Sequence, residues 1–150
     1  MNREELSSAD FELVAAAIAE AKKPVLQLKG KKDPALVAAA LRLNDGKIIT
    51  ATNLIASVRR LSVCAEAVAI AKSAEIPDNK IATIAAVYHS PGQEPMVVSP
   101  CGNCRELITD YSLHCFVILR EPNTDKLFKV KASELLPFKY SLYKDNDKLI

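Results

Sequence analysis

The sequence predicts one α/β domain over residues 1–150, a β-sheet covered by helices, on three observations. Apolar, β-prone runs alternate with Ala-rich segments of helical periodicity, an Asp-Gly turn joins two of those runs, and no linker or internal repeat divides the 150 residues. A chain of this length buries roughly 70% of its unfolded surface, enough for a core without covalent staples.

The elements follow in order. Residues 3–23 read as a helix, with Phe11, Val14, Ile18 and Ala21 on one face at helical spacing and an alanine content that favours helix. Residues 23–34 hold two prolines, a glycine and several lysines and read as a connector. Residues 35–43 form an apolar run broken only by Arg42, as expected of a largely buried strand. The turn Asn44-Asp45-Gly46-Lys47 returns the chain into a second strand over 48–53. A polar stretch leads to an Ala-rich helix over 64–75, and residues 80–88 make a third strand. A loop with Pro91, Gly92 and Pro95 precedes 97–99 and a short helix over 101–111. Strands over 115–119 and 127–130 follow, then a helical turn at 133–138 and a polar tail.

Bulk properties exclude several classes. A net charge of +2, with Lys and Arg dispersed and no Trp, does not make the basic, aromatic surface of a nucleic-acid binder. The charged N-terminus does not read as an export signal, and no apolar stretch approaches the roughly 20 residues of a membrane span. Cys64, Cys101, Cys104 and Cys115, without such a signal, read as thiols kept reduced in a cytoplasm, where close spacings point to metal or catalysis.

Two segments carry the chemistry: Cys64-Ala65-Glu66 and Pro100-Cys101-Gly102-Asn103-Cys104. Each sits at the predicted start of a helix, where free N–H groups and the positive dipole end favour thiolate over thiol. Cys101 and Cys104, three apart, reach one ion together, and Cys64 closes the site from the other helix. Three protein ligands leave the fourth tetrahedral position of zinc open, as in catalytic rather than structural sites. Glu66, two residues past a ligand, is placed to move protons without binding metal. The competing reading is a structural site with Cys115 as fourth ligand, but Cys115 lies in His-Cys-Phe-Val-Ile-Leu as a buried strand residue, and that reading leaves Glu66 idle.

These motifs resemble the signature of the cytidine deaminase superfamily, Cys or His followed by Ala-Glu and then Pro-Cys-x-x-Cys. Residues 99–105, SPCGNCR, are similar to the corresponding run of its small three-cysteine members, and Asn53 stands eleven residues before Cys64, as their substrate-binding Asn does. The Asn-Asp-Gly-Lys turn and Leu-Leu-Pro-Phe extend the likeness over about residues 35–140. The resemblance implies a five-stranded mixed sheet with both zinc-bearing helices on one face. It also implies Zn²⁺ as cofactor, hydrolytic release of ammonia from a small heterocycle, and a homo-oligomer, tetramer or dimer, with sites near subunit interfaces. Asn53, Ala65 and Ser99 then fall in the substrate pocket, with Ile55 where small cytidine deaminases carry a sugar-gripping Glu. Blasticidin-type deaminases share the zinc core with a different spacing ahead of Cys-Ala-Glu.

Ile55 accepts no hydrogen bond, so the expected substrate is an amino-substituted pyrimidine other than standard cytidine, free or as a modified nucleoside. Ala67 stands where many three-cysteine members have Arg. Three thiolates and Zn²⁺ sum to −1, and Arg105, beside a ligand, is the expected neighbour that offsets it, ahead of Arg59 and Arg60. Asn53 has a competing role as a strand-end residue bonding backbone. His89 and His114 lack ligand spacing and read as surface residues. Phe138, Tyr140 and Tyr143 read as packing for the C-terminus or, by resemblance, as aromatics lent to a neighbouring subunit. The alternatives to this enzyme are a non-catalytic zinc-stabilised binding module, cytidine deaminase proper, and a deaminase of nucleic acid.

Overall fold

The computed structural model describes residues 1–23, 36–77 and 80–140. The expected connector, beyond Lys23, lies outside them, as do Ala35 and Tyr143. Helix α1 spans Ser8–Ala21. It starts later than residue 3 because Ser7 and Asp10 form a capping box. The Asp10 N–H donates to Ser7 Oγ (3.4 Å) and the Ser7 N–H donates to Asp10 Oδ2 (3.0 Å). The residues before it run extended, and Glu4 bridges Lys129. The buried stripe of α1 is Asp10, Leu13, Val14, Ala17 and Ala21, so Phe11 turns outward, 56% exposed, and Ile18 is half-buried.

Strands β1 (Leu36–Leu43) and β2 (Ile48–Thr52) form the expected hairpin. Its turn closes through Gly46 N–H to Leu43 O, and Gly46 takes φ +89°, a conformation a Cβ would strain. Helix α2 (Ala65–Ala74) leads to β3 (Ile81–His89), and β4 (Met96–Val98) precedes α3 (Gly102–Tyr111). Strands β5 (Phe116–Arg120) and β6 (Leu127–Lys131) follow, and a 3₁₀ turn spans Ala132–Leu135.

The sheet order is β2-β1-β3-β5-β6, antiparallel except for β3 with β5. That path has the five strands expected. The three-residue β4 adds a sixth: it pairs Ala86–Tyr88, while β5 pairs Thr83 and Ile84. One edge of β3 therefore serves two strands, and α3 begins where they part.

Alternation along the strands makes two cores. Ala38 and Ala40 of β1, with Val87 and Ile118, face α1. Leu41 and Leu43, with Ile84, Val117 and Val130, face Ile70 of α2 and Ile108 of α3. Burial of each large aliphatic side chain contributes about 1.5–3 kcal/mol, which holds α2 and α3 against one face at a set depth. Among the described residues no helix is long and apolar enough to cross a membrane.

The segment between β2 and α2 is less polar than expected. Leu54 and Val63 pair by backbone, and Leu54, Val58 and Leu61 are exposed, on either side of and within the 3₁₀ turn Arg59–Leu61.

Candidate metal and substrate site

Cys64 and Cys101 are the N-cap residues of α2 and α3, and Cys104 lies in the first turn of α3. Because both helices start at one end of the sheet, the three Sγ atoms lie within 4.8 Å of one another, with Cys64 and Cys101 3.8 Å apart. Sulfurs bound tetrahedrally at about 2.3 Å from zinc sit about 3.8 Å apart, so this donor set fits the ion. Cys101 is exposed, Cys64 half-buried and Cys104 buried.

The thiols differ electrostatically. Burial works against ionising Cys101. It is outweighed by the Cys104 and Asn103 N–H groups and the neighbouring thiols, which hold Cys101 below the usual range. Burial pushes Cys104 far up, reinforced by the charge of Glu66. Cys64 is also raised, first by burial, and its side chain receives no capping hydrogen bond despite its place at a helix start. Cys115 stands apart from the cluster in the core, 2% exposed, and burial pushes its thiol up to about 12.

A cavity of about 240 Å³ opens beside the cysteines. Its walls include Val37, Val63 and Val98, and its polar groups come from Asn53, Ser62, Ser99 and Glu66. Glu66, 5% exposed, follows Cys64 on the first turn of α2 and faces this space. Asn53 Oδ1 accepts from the Val37 N–H (3.0 Å) while its own N–H donates to Val37 O (2.9 Å). Asn53 therefore follows the end of β2 with its side-chain oxygen bonded to backbone, and it also lines the cavity.

Ala65 and Ser99 also line the cavity, whereas Ile55 does not. Arg105 donates to Pro100 O (3.0 Å), Leu135 O (3.4 Å) and Ser99 Oγ (3.1 Å). Its guanidinium thus braces the segment that delivers Cys101, and these donors go to oxygens rather than sulfurs. Arg59 and Arg60 are exposed on their 3₁₀ turn, and His114 is exposed. His89 is half-buried, with Nδ1 lacking a partner among the described residues. Phe138 and Tyr140 are fully and 69% exposed. Sequence reading missed Val37, Ser62, Val63 and Val98 because valines and serines carry no chemical signature; their membership comes from the sheet end on which they lie.

Over residues 8–120 the chain matches the cytidine and deoxycytidylate deaminase zinc-binding region, and it belongs to that family of zinc-dependent hydrolytic deaminases. The match begins well before residue 35, where the motif resemblance starts. Across 140 residues the chain is 41% identical to the blasticidin-S deaminase of Bacillus cereus, covering 91% of this chain and 95% of the relative. The different spacing expected of blasticidin-type enzymes is no bar to that near full-length likeness. Among solved structures, the cytidine deaminase of Burkholderia pseudomallei has a TM-score of 0.69 at 26% identity, covering 90% of this chain and all of that one. The cytidine deaminase of Bacillus anthracis shares the fold, with a TM-score of 0.72 at 19% identity over 87% of this chain and 89% of that one.

Proposed function

We propose that this deaminase acts on a pyrimidine nucleoside of the blasticidin S kind, in a site where Cys64, Cys101 and Cys104 hold zinc and Glu66 moves the protons. The observation that carries the choice of substrate is the 41% identity to blasticidin-S deaminase over 95% of that protein. The cavity supports it in two ways. Among its described lining residues there is no Lys or Arg to neutralise the phosphate of a deoxycytidylate. Its only carboxylate among the described lining residues is Glu66, which leaves no second acid there to grip the sugar hydroxyls of cytidine. At about 240 Å³ it is also smaller than the roughly 300–1,000 Å³ pockets of drug-sized ligands, a size for a single ring whose substituents extend through the mouth.

When bound, zinc supplies a Lewis acid that lowers the pKa of water from about 15.7 to about 7. Glu66 takes a proton from the attacking water as its oxygen bonds to the carbon bearing the amino group, and passes that proton to the adjacent ring nitrogen. Glu66 then takes the remaining hydroxyl proton and gives it to the amine. The carbonyl forms as the C–N bond breaks, and ammonia leaves with the electron pair. Asn53 orients the ring through its amide donors, Ala65 and Val63 wall it, and Ser99, held by Arg105, offers a polar edge.

The single deaminase domain spans residues 1–150 and works in the cytoplasm as a homo-oligomer, a tetramer or dimer, with Phe138 and Tyr140 offered to a neighbouring subunit. The test is kcat/KM for blasticidin S, cytidine and deoxycytidylate by ammonia release. Blasticidin S is expected to exceed cytidine by about 10²-fold or more. Cytidine as the best substrate would overturn the choice of substrate and leave the deaminase assignment standing.

A further inference from the structure

A second cavity, of about 490 Å³, opens at the other end of β1, where β3 and β5 begin. Four of its lining residues are basic: Arg42 from β1, Lys129 from β6, Lys80 just before β3 and His114 just before β5. Among its described lining residues there is no Asp or Glu. Arg42 Nη2 and Lys129 Nζ both donate to Asp10, at 2.8 and 2.7 Å, so two cations share one carboxylate and positive charge remains in excess. Arg42 Nη1 is buried with no hydrogen-bond partner among the described residues. The Arg42 and Lys129 side chains are mostly buried, 17% and 14% exposed, whereas Lys80 and His114 are exposed. The basic groups are therefore arranged in depth, from an outer pair to an inner one. Leu113 and Phe116 provide apolar walls between them.

We propose that this cavity binds a phosphate group, inorganic or carried by a small monoester, separately from the cysteine site. Four basic side chains converge from four points of the fold, the inner two sharing Asp10 behind them and no Asp or Glu standing among the described lining residues, and low-dielectric walls focus the remaining positive field on an anion. Lys80 and His114 meet the phosphate from solvent, and Arg42 and Lys129 supply the field behind it. Tyr111 and Asn44, also in the wall, carry hydroxyl and amide groups suited to its remaining oxygens. No Lys or Arg is among the described residues lining the cysteine-side cavity, so the two ends of β1 suit different kinds of ligand.

The test uses the zinc-loaded full chain, titrated calorimetrically with inorganic phosphate and, separately, with glycerol 3-phosphate, with ionic strength held constant by chloride. Saturable binding of at least one probe is expected, and the tighter probe identifies the source of the phosphate. In the double variant Lys80→Ala/His114→Ala the Kd should rise about ten-fold or more, from loss of charge-assisted contacts, while zinc content and deamination rate stay unchanged. Lys80→Arg should bind within a few-fold of the parent. Absence of saturable binding of both probes, or equal binding by the double variant, would overturn the proposal.

Discussion

Asp10 and the three-cysteine cluster are acidic centres on opposite faces of one sheet, the first fully buried and the second running from buried Cys104 to exposed Cys101, and they are balanced by different means. Asp10 is fully buried, and four donors reach its carboxylate: the Ser7 N–H, Ser7 Oγ, Lys129 Nζ and Arg42 Nη2. Burial alone would raise its pKa, but these partners outweigh it and hold it down at about 2. The cysteines face the reverse condition. Burial and the charge of Glu66 push Cys104 up, and the nearby Arg105 spends its donors on two carbonyls and a hydroxyl. A buried anion that carries its own cations is a finished structural element. A thiol cluster without them is complete only with an outside cation, which distinguishes a ligand site from a structural ion cluster.

Removing a metal ligand breaks the contrast most completely. Cys101→Ser or Cys104→Ser is expected to take zinc from about one per chain to near none, with loss of activity and much stability, since metal binding is also folding energy. Full zinc occupancy by elemental analysis would sink the ligand assignment. Glu66→Gln should keep fold and zinc but lose about 10²–10⁴-fold in kcat, because only proton transfer is removed. Turnover within a few-fold of the parent would show that the protons travel elsewhere.

On the other face, Asp10→Ala strands Arg42 and Lys129 and should cost about 3–5 kcal/mol in denaturant unfolding while zinc content is preserved. Equal loss of zinc would mean that the two faces are coupled. Arg105→Ala should weaken zinc about 10–100-fold in chelator competition, through slackening of the Ser99–Cys101 segment rather than loss of a ligand.

The smallest effect is in acid. The folded pKa of Asp10 lies below the ordinary value of 3.8, so its stabilisation is present in full above about pH 4 and fades as pH falls through about 2. That difference amounts to about 2 kcal/mol, and it should vanish in Asp10→Asn when unfolding of both proteins is compared between pH 5 and 2.

The two centres also differ in how far the sequence exposed them. The proposed thiol ligands and the acid proposed to move the protons are chemically specific and closely spaced, so Cys64, Glu66, Cys101 and Cys104 stood out, and the Asp-Gly turn marked its hairpin. Asp10 did not stand out, because its partners Arg42 and Lys129 lie 32 and 119 residues away. The same reason displaced the predicted face of α1. Phe11 satisfies helical spacing, but burial follows the stripe that meets β1 and β3, and the capping box of Ser7 and Asp10 sets where the helix begins. The segment after β2 read as polar by its serines and arginines, yet Leu54, Val58 and Leu61 lie exposed there.

By itself the sequence determined the donor chemistry, the order of the elements and the class of reaction, since those depend on residue type and short spacings. Tertiary structure decided the rest. Cys64 comes within 3.8 Å of a cysteine 37 residues away because two helices pack their starts at one sheet end. Val37, Val63 and Val98 become cavity walls because the start of β1, the approach to α2 and the end of β4 meet there, and Arg105 becomes a brace because Pro100, Ser99 and Leu135 converge on it. Those contacts arise from long-range packing, which buries apolar surface wherever the sheet and helices close and leaves no local mark on the residues it brings together.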